Sequence, residues 1–155
     1  MNITTEPAPC LLPIEKTMKT LIIGITLVLL CTCEPLIAQD ISTSNLKWKV
    51  DSLLDLRSNE RFVYNCHFET TGQGNIAWNQ NGGFISSMTV NSATGSWINV
   101  QATGSITFSI QYEDEMGTIR FERVGSRCII RLILGDPGQP TLQHEYIVSL
   151  ITSNP

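Results

Sequence analysis

The sequence predicts an all-β domain, an antiparallel meander of about eight to nine short strands forming a small barrel or a two-sheet sandwich, preceded by an N-terminal signal helix. Three observations carry this expectation. Apolar residues recur at every second position from Arg61 onward, the spacing that places them on one face of a strand. Gly, Asn and Pro turn sequences punctuate these runs. No segment after Ala38 sustains a helical period over helix length.

The signal comes first. Leu21–Cys33 is an apolar run preceded by Lys16 and Lys19 and followed by Glu34 and Pro35, with Ala38 as a small residue at a suitable cut site. A spanning helix needs about 20 apolar residues, so the run is short for a permanent anchor. Met18-Lys19-Thr20 resembles a bacterial signal start, which makes residues 1–17 a start-site artefact or extended leader and residues 18–38 the signal peptide. A lipid anchor on Cys31 or Cys33 ranks behind cleavage after Ala38, because Leu30 and Thr32 are poor residues just before a lipidated cysteine. Residues 39–155 are then one domain, too short for two cores. Export to the periplasm or the cell exterior is the expected destination, with an inner-membrane or lipoprotein anchor as the alternative.

Within that domain, Ile41–Asn45 reads as a polar lead-in and Leu46–Leu56 as the first strand. Next, Phe62, Tyr64, Cys66 and Phe68 share one face of a strand whose other face carries Val63, Asn65, His67 and Glu69. Asn81-Gly82-Gly83 predicts a three-residue hairpin loop with Gly83 left-handed, pairing Ile76, Trp78 and Gln80 with Met88, Ser86 and Phe84. Thr103-Gly104 predicts a two-residue turn that sets Trp97 across from Ile110 and Asn99 across from Phe108. Gly125-Ser126 suits a type II′ turn, placing Arg123 opposite Cys128, Phe121 opposite Ile130 and Ile119 opposite Leu132. After Asp136-Pro137-Gly138 and Pro140, the last strand covers Gln143–Leu150 with His144, Tyr146, Val148 and Leu150 on one face.

Cys66 and Cys128 are the two cysteines left after signal removal, and both fall on apolar faces. An even pair in an exported chain predicts a disulfide, against two buried thiols. That bond requires Cα atoms within about 7 Å.

Candidate sites are sparse. His67 and Cys66 are sequence neighbours, so they point to opposite faces of their strand and cannot act as a thiolate–imidazole pair. His67 and His144 alone make a poor metal site, and Glu113-Asp114-Glu115 reads as a solvated acidic turn. No catalytic residue, metal or cofactor is assigned. If Trp97 and Phe108 point inward, the derived registers also bring in Asn99 and Gln101, while Trp78 brings Gln80. These five residues, Trp78, Gln80, Trp97, Asn99 and Gln101, are the candidate ligand set, because buried amides need hydrogen-bond partners. A one-residue slip would send those amides to solvent. Arg120, Arg127 and Arg131 share the opposite face of the Gly125-Ser126 hairpin with Glu122. They are a candidate anion or partner face, weighed against simple cross-strand ion pairing.

The whole chain has a formal net charge of -4, and nothing in it clusters positive charge as a nucleic-acid surface would. Gly95-Ser96-Trp97 superficially resembles the Gly-x-Trp signature of lipocalins. In that family the signature lies on the first barrel strand, whereas here it falls well into the domain, so no lipocalin residue is carried over. The expected function is a non-catalytic binding or interaction module, with a small ligand, glycan or protein of the cell envelope as partner. The alternatives are a small-ligand barrel with an aromatic and amide-lined cavity, a small hydrolase or lyase, and an adhesive subunit. An unpaired edge strand or a wide aromatic patch would favour the last. Membrane contact is expected only through an uncleaved signal or a lipid anchor.

Overall fold

The computed structural model describes residues 40–72, 74–80 and 83–153. The leader and signal helix expected over residues 1–38 lie outside the described residues. Eight antiparallel strands follow one another around a closed barrel. They are β1 (Asn45–Asp55), β2 (Glu60–Thr71), β3 (Asn75–Asn79), β4 (Ile85–Ser96), β5 (Gly104–Tyr112), β6 (Glu115–Val124), β7 (Arg127–Asp136) and β8 (Gln139–Ser153). β1 pairs with β8 to close the ring, so the expected choice between barrel and sandwich falls to the barrel.

Two hairpins form in the expected register because their turn residues allow only one. Gly83 is left-handed at φ 85°, Gln80 N donates to Phe84 O at 2.9 Å, and Ile76 faces Met88 while Trp78 faces Ser86. Gly125 takes φ 60° ahead of Ser126, and Arg123, Phe121 and Ile119 pair with Cys128, Ile130 and Leu132.

The Thr103-Gly104 hairpin is different. β4 runs on to Ser96 and pairs Ser96 with Ser105, Gly95 with Ile106 and Ala93 with Phe108, so Trp97–Thr103 is a loop rather than a ninth strand. Turn chemistry explains the difference. Asn99 Oδ1 accepts the Gln101 N–H at 2.8 Å, Ala102 N donates to Asn99 O at 2.9 Å, and the Trp97 indole N–H closes the loop on Ala102 O at 3.0 Å. An asparagine side chain that bonds its own backbone two residues on competes with a strand ladder.

The inward faces of the strands fill the barrel. Trp48, Phe68, Phe108, Phe121, Ile130 and Tyr146 are all fully buried. Trp48 packs on Phe121 at 4.7 Å and on Trp97 at 5.8 Å between ring centroids. One end of the barrel, which carries the β2–β3, β4–β5 and β6–β7 loops, is covered by the segment before β1. There Ile41 is fully buried and donates its N–H to Trp97 O at 3.1 Å. The expected polar lead-in is therefore part of the core. Asp40 makes this possible by tying the turn together, accepting from the Ser42 N–H at 3.0 Å and, at its carbonyl, from the Ser44 hydroxyl at 2.8 Å.

Two further expectations change. The register of β8 against β1 shifts between Lys49–Leu150 and Val50–Val148, and the extra residue, Ser149, turns Leu150 outward. Leu150 is accordingly 54% exposed. Cys66 and Cys128 are free, buried thiols rather than a disulfide. Cα pairing runs from Cys66 to Val50, Val50 to Val148 and Val148 to Cys128, so β1 and β8 stand between them. Three strand spacings of about 4.8 Å carry the backbones well beyond the roughly 7 Å that a disulfide tolerates.

Candidate functional site

Strand lengths create the most distinctive feature of the wall. β3 is five residues long and its pairing with β2 ends at His67–Asn79, whereas β2 continues up to Glu60. Above that point the wall opens between β2 and the Gln80–Phe84 turn. A groove of about 490 Å³ runs from this opening across the outer faces of β2, β1 and β8. Lys47, Lys49, His67, Asn79 and Thr152 line its outer part, Leu150 gives it an apolar patch, and inward-facing Cys66 and Gln80 lie at its deep end. Leu150 reaches the groove only because of the bulge at Ser149.

Charge in the groove is uneven. Glu69 Oε1 lies 3.1 Å from both Lys47 Nζ and His67 Nε2. The Lys47 hydrogen bond, opposed by partial burial and helped by the charge of Lys47 and by His67, holds the Glu69 carboxyl below its ordinary value. Among the described residues, no carboxylate forms an ion pair with Lys49.

Behind the opening, the upper interior is polar. The Tyr64 hydroxyl donates to Gln80 Oε1 at 3.0 Å, Gln80 Nε2 donates to Ser86 Oγ at 3.2 Å, and Ser86 Oγ is 3.2 Å from the Tyr112 hydroxyl. His144 Nδ1 lies 3.2 Å from the Tyr146 hydroxyl. Burial lowers the His144 pKa against the opposing charge of Asp55, and burial raises that of Tyr146 far above the phenol range. Trp78 is stacked on Phe68 at 5.7 Å, and its indole Nε1 is buried with no hydrogen bond among the described residues. Its N–H faces the Cys66 thiol without reaching hydrogen-bond geometry and favours the thiolate there. Burial outweighs this and pushes that thiol up to about 11.

The five expected ligand residues are not gathered in one place. Trp78 and Gln80 point inward at the open upper end, as the β3–β4 register requires. Trp97 is buried at the covered lower end, while Asn99 sits half-buried in its loop and Gln101 is exposed. The register that set Trp97 opposite Ile110 does not form: Ile110 pairs with Val90, and both amides belong to the Trp97–Thr103 loop, where Asn99 Oδ1 is spent on the Gln101 N–H.

The arginine face forms with its expected pairing, Arg120 opposite Arg131. Arg120 forks onto both Glu122 oxygens, at 3.2 and 3.1 Å. Arg127 and Arg131 grip Glu145 at 2.8 and 3.0 Å, and Glu145 is only 5% exposed although it lies on an outward face. The three guanidiniums are thus engaged by carboxylates of the chain itself, as a cross-strand ion-pair network would be. Glu145 escaped the sequence reading because β8 offers no motif that marks it. Its only signal is the outward parity it shares with Arg131, its Cα partner.

A larger groove, of about 710 Å³, lies between the Glu113–Asp114 and Pro137–Gly138 turns. Its acidic residues do not converge: Glu115 accepts the Thr141 hydroxyl at 2.7 Å, and no cluster of three metal-capable side chains exists among the described residues. Searches against protein families, curated proteins and solved structures found no match to the chain.

Proposed function

We propose that this protein is a non-catalytic binding module of the cell envelope, taking a small hydroxylated carboxylate, of the sugar-acid type, in the groove over β2, β1 and β8. The observation that carries the reading is the groove's composition. Lys49 supplies positive charge that no carboxylate of the described residues offsets, Asn65, His67, Asn79, Gln80 and Thr152 supply hydrogen-bonding groups, and Leu150 offers an apolar surface to a sugar ring. Lys49, with no ion-pair partner among the described residues, is the natural carboxylate contact.

Several features support binding rather than catalysis. The one thiol in the groove, Cys66, is held protonated by burial, so it is a poor nucleophile. His67 faces Glu69 and His144 faces Tyr146, and among the described residues neither imidazole bonds a serine, threonine or cysteine. The packed lower barrel weighs against a ligand enclosed at its centre. For export, the support is Leu21–Cys33 with its basic flank and Ala38.

Two measurements test this reading. Native mass spectrometry of protein expressed from the full-length sequence is expected to show loss of residues 1–38 and no lipid mass. In ¹H–¹⁵N NMR titration, galacturonate is expected to shift the Asn65, His67 and Asn79 resonances, neutral galactose to shift them far less, and Lys49→Glu to abolish the response. No response in these residues, or an equal response to galactose, overturns the assignment.

A further inference from the structure

Four residues that line the groove form one register row across its floor. Leu150 on β8 pairs with Lys49 on β1, Lys49 with His67 on β2, and His67 with Asn79 on β3. From β8 to β3 the row crosses three strand spacings of about 4.8 Å, or roughly 14 Å, more than a single sugar ring spans. Its chemistry changes along the way. An apolar side chain comes first, then a lysine that no carboxylate pairs among the described residues, then two hydrogen-bonding side chains.

Beyond Asn79 the row runs into the opening, where Asn65 and Gln80 also line the groove. Two features leave backbone groups off the ladder there. Pairing of β2 with β3 ends at His67–Asn79, and the β1–β2 register shifts between Val50–Cys66 and Ser52–Val63, where β2 advances three residues to the two of β1. This short free edge and the two amides offer donors and acceptors side by side, which suits hydroxyls, since each hydroxyl both gives and takes a hydrogen bond.

Given a carboxylate on Lys49, the reading on which this rests, we propose that the ligand is a mixed oligosaccharide: one acidic sugar over Leu150 and Lys49, joined to a neutral sugar over His67, Asn79 and the opening. A second acidic unit does not fit that half of the row. The other groove lysine, Lys47, already holds Glu69 at 3.1 Å, and Glu69 Oε1 also lies 3.1 Å from His67 Nε2. A carboxylate placed there would give up water without gaining an unpaired cation. The groove therefore favours an acidic heteroglycan over a chain of uronates.

NMR titration of protein expressed from the full-length sequence tests this with galacturonate, digalacturonate and the two mixed disaccharides, galacturonosyl-rhamnose and rhamnosyl-galacturonate. At least one mixed disaccharide is expected to bind about tenfold tighter than galacturonate, while digalacturonate stays within about twofold of it. The tighter ligand should also shift the Gln80 side-chain amide, which galacturonate leaves in place. Glu69→Gln, which releases Lys47, should raise the affinity for digalacturonate. Wild-type protein that binds digalacturonate as tightly as the mixed disaccharides overturns the proposal. Galacturonate binding with no gain from a neutral unit overturns it too, and leaves the carboxylate site standing. No response to any of the four removes that site and this inference together. A Glu69→Gln variant that gains nothing for digalacturonate overturns the discrimination assigned to the Lys47–Glu69 pair.

Discussion

Raising the pH from 8 to 10 should destabilise this protein through its two thiols. Burial pushes the Cys66 and Cys128 thiols from their ordinary value of 9.0 up to about 11, while the Trp78 N–H and the Arg123 charge respectively oppose the rise. The folded state therefore keeps protons that the unfolded chain has already released, and stability falls as pH rises from 9 toward 11. At pH 10 the unfolded thiols are about nine-tenths ionised and the folded ones about one-tenth. The resulting loss is on the order of 1 kcal/mol per thiol, or about 1 to 2 kcal/mol for the pair once solvent screening is allowed for. Tyr64 and Tyr146, also raised by burial, act in the same direction. Urea unfolding at the two pH values should show the midpoint falling by roughly 0.5 to 1 M, given a slope of about 2 kcal/mol per M. A Cys66→Ala/Cys128→Ala variant should lose most of that pH dependence, leaving the tyrosine part. In parallel, iodoacetamide should label neither thiol in the native protein and both in denaturant. A midpoint that holds steady, or a denatured protein that takes up no label because the cysteines are bonded, would refute the argument from strand spacing.

Acid should destabilise the fold through different groups. His144 has a lowered pKa, so its penalty begins as pH falls below the unfolded value of 6.5. Glu69 and Asp55, also lowered, lose their contributions further down, through the carboxylate range. Thermal melts from pH 7 to 4 should fall monotonically, and His144→Gln should flatten the first part. Gly117→Ala should cost about 1 to 3 kcal/mol, because its Cβ would be driven into the Ile133 carbonyl and the Leu134 side chain; a neutral result in chemical denaturation would contradict that close approach. Trp97→Ala should cost about 3 to 5 kcal/mol, whereas Gln101→Ala should stay within about 0.5 kcal/mol. Comparable losses at both positions would mean that the loop is wrongly placed.

Legibility followed the range of the interaction. The Gly125-Ser126 and Asn81-Gly82-Gly83 hairpins could be read residue by residue, since a left-handed glycine and alternating faces leave one register. The Thr103-Gly104 hairpin misled because Asn99 competes as a turn former, and a turn displaced by several residues moved Asn99 and Gln101 out of the barrel. Of the expected ligand set, Trp78 and Gln80 remain beside a real opening. Their other neighbours there, Lys47, Lys49, Asn65 and Thr152, come from strands far apart in the chain, and nothing in the local pattern of any one strand announces that they meet.

By itself, the sequence determined the fold class, the inward face of most strands and two of the hairpin registers, because these depend on period-two patterning and on turn residues close in the chain. It also determined that Cys66 and Cys128 both point at the core. Only the tertiary structure decided that they do not meet: closing β1 onto β8 sets two strands between them. The same closure, with strands of unequal length, produced the step between β2 and β3, and with it the groove and the free edge. Facing direction is a property of each strand, whereas proximity around a barrel depends on the order and stagger of all eight.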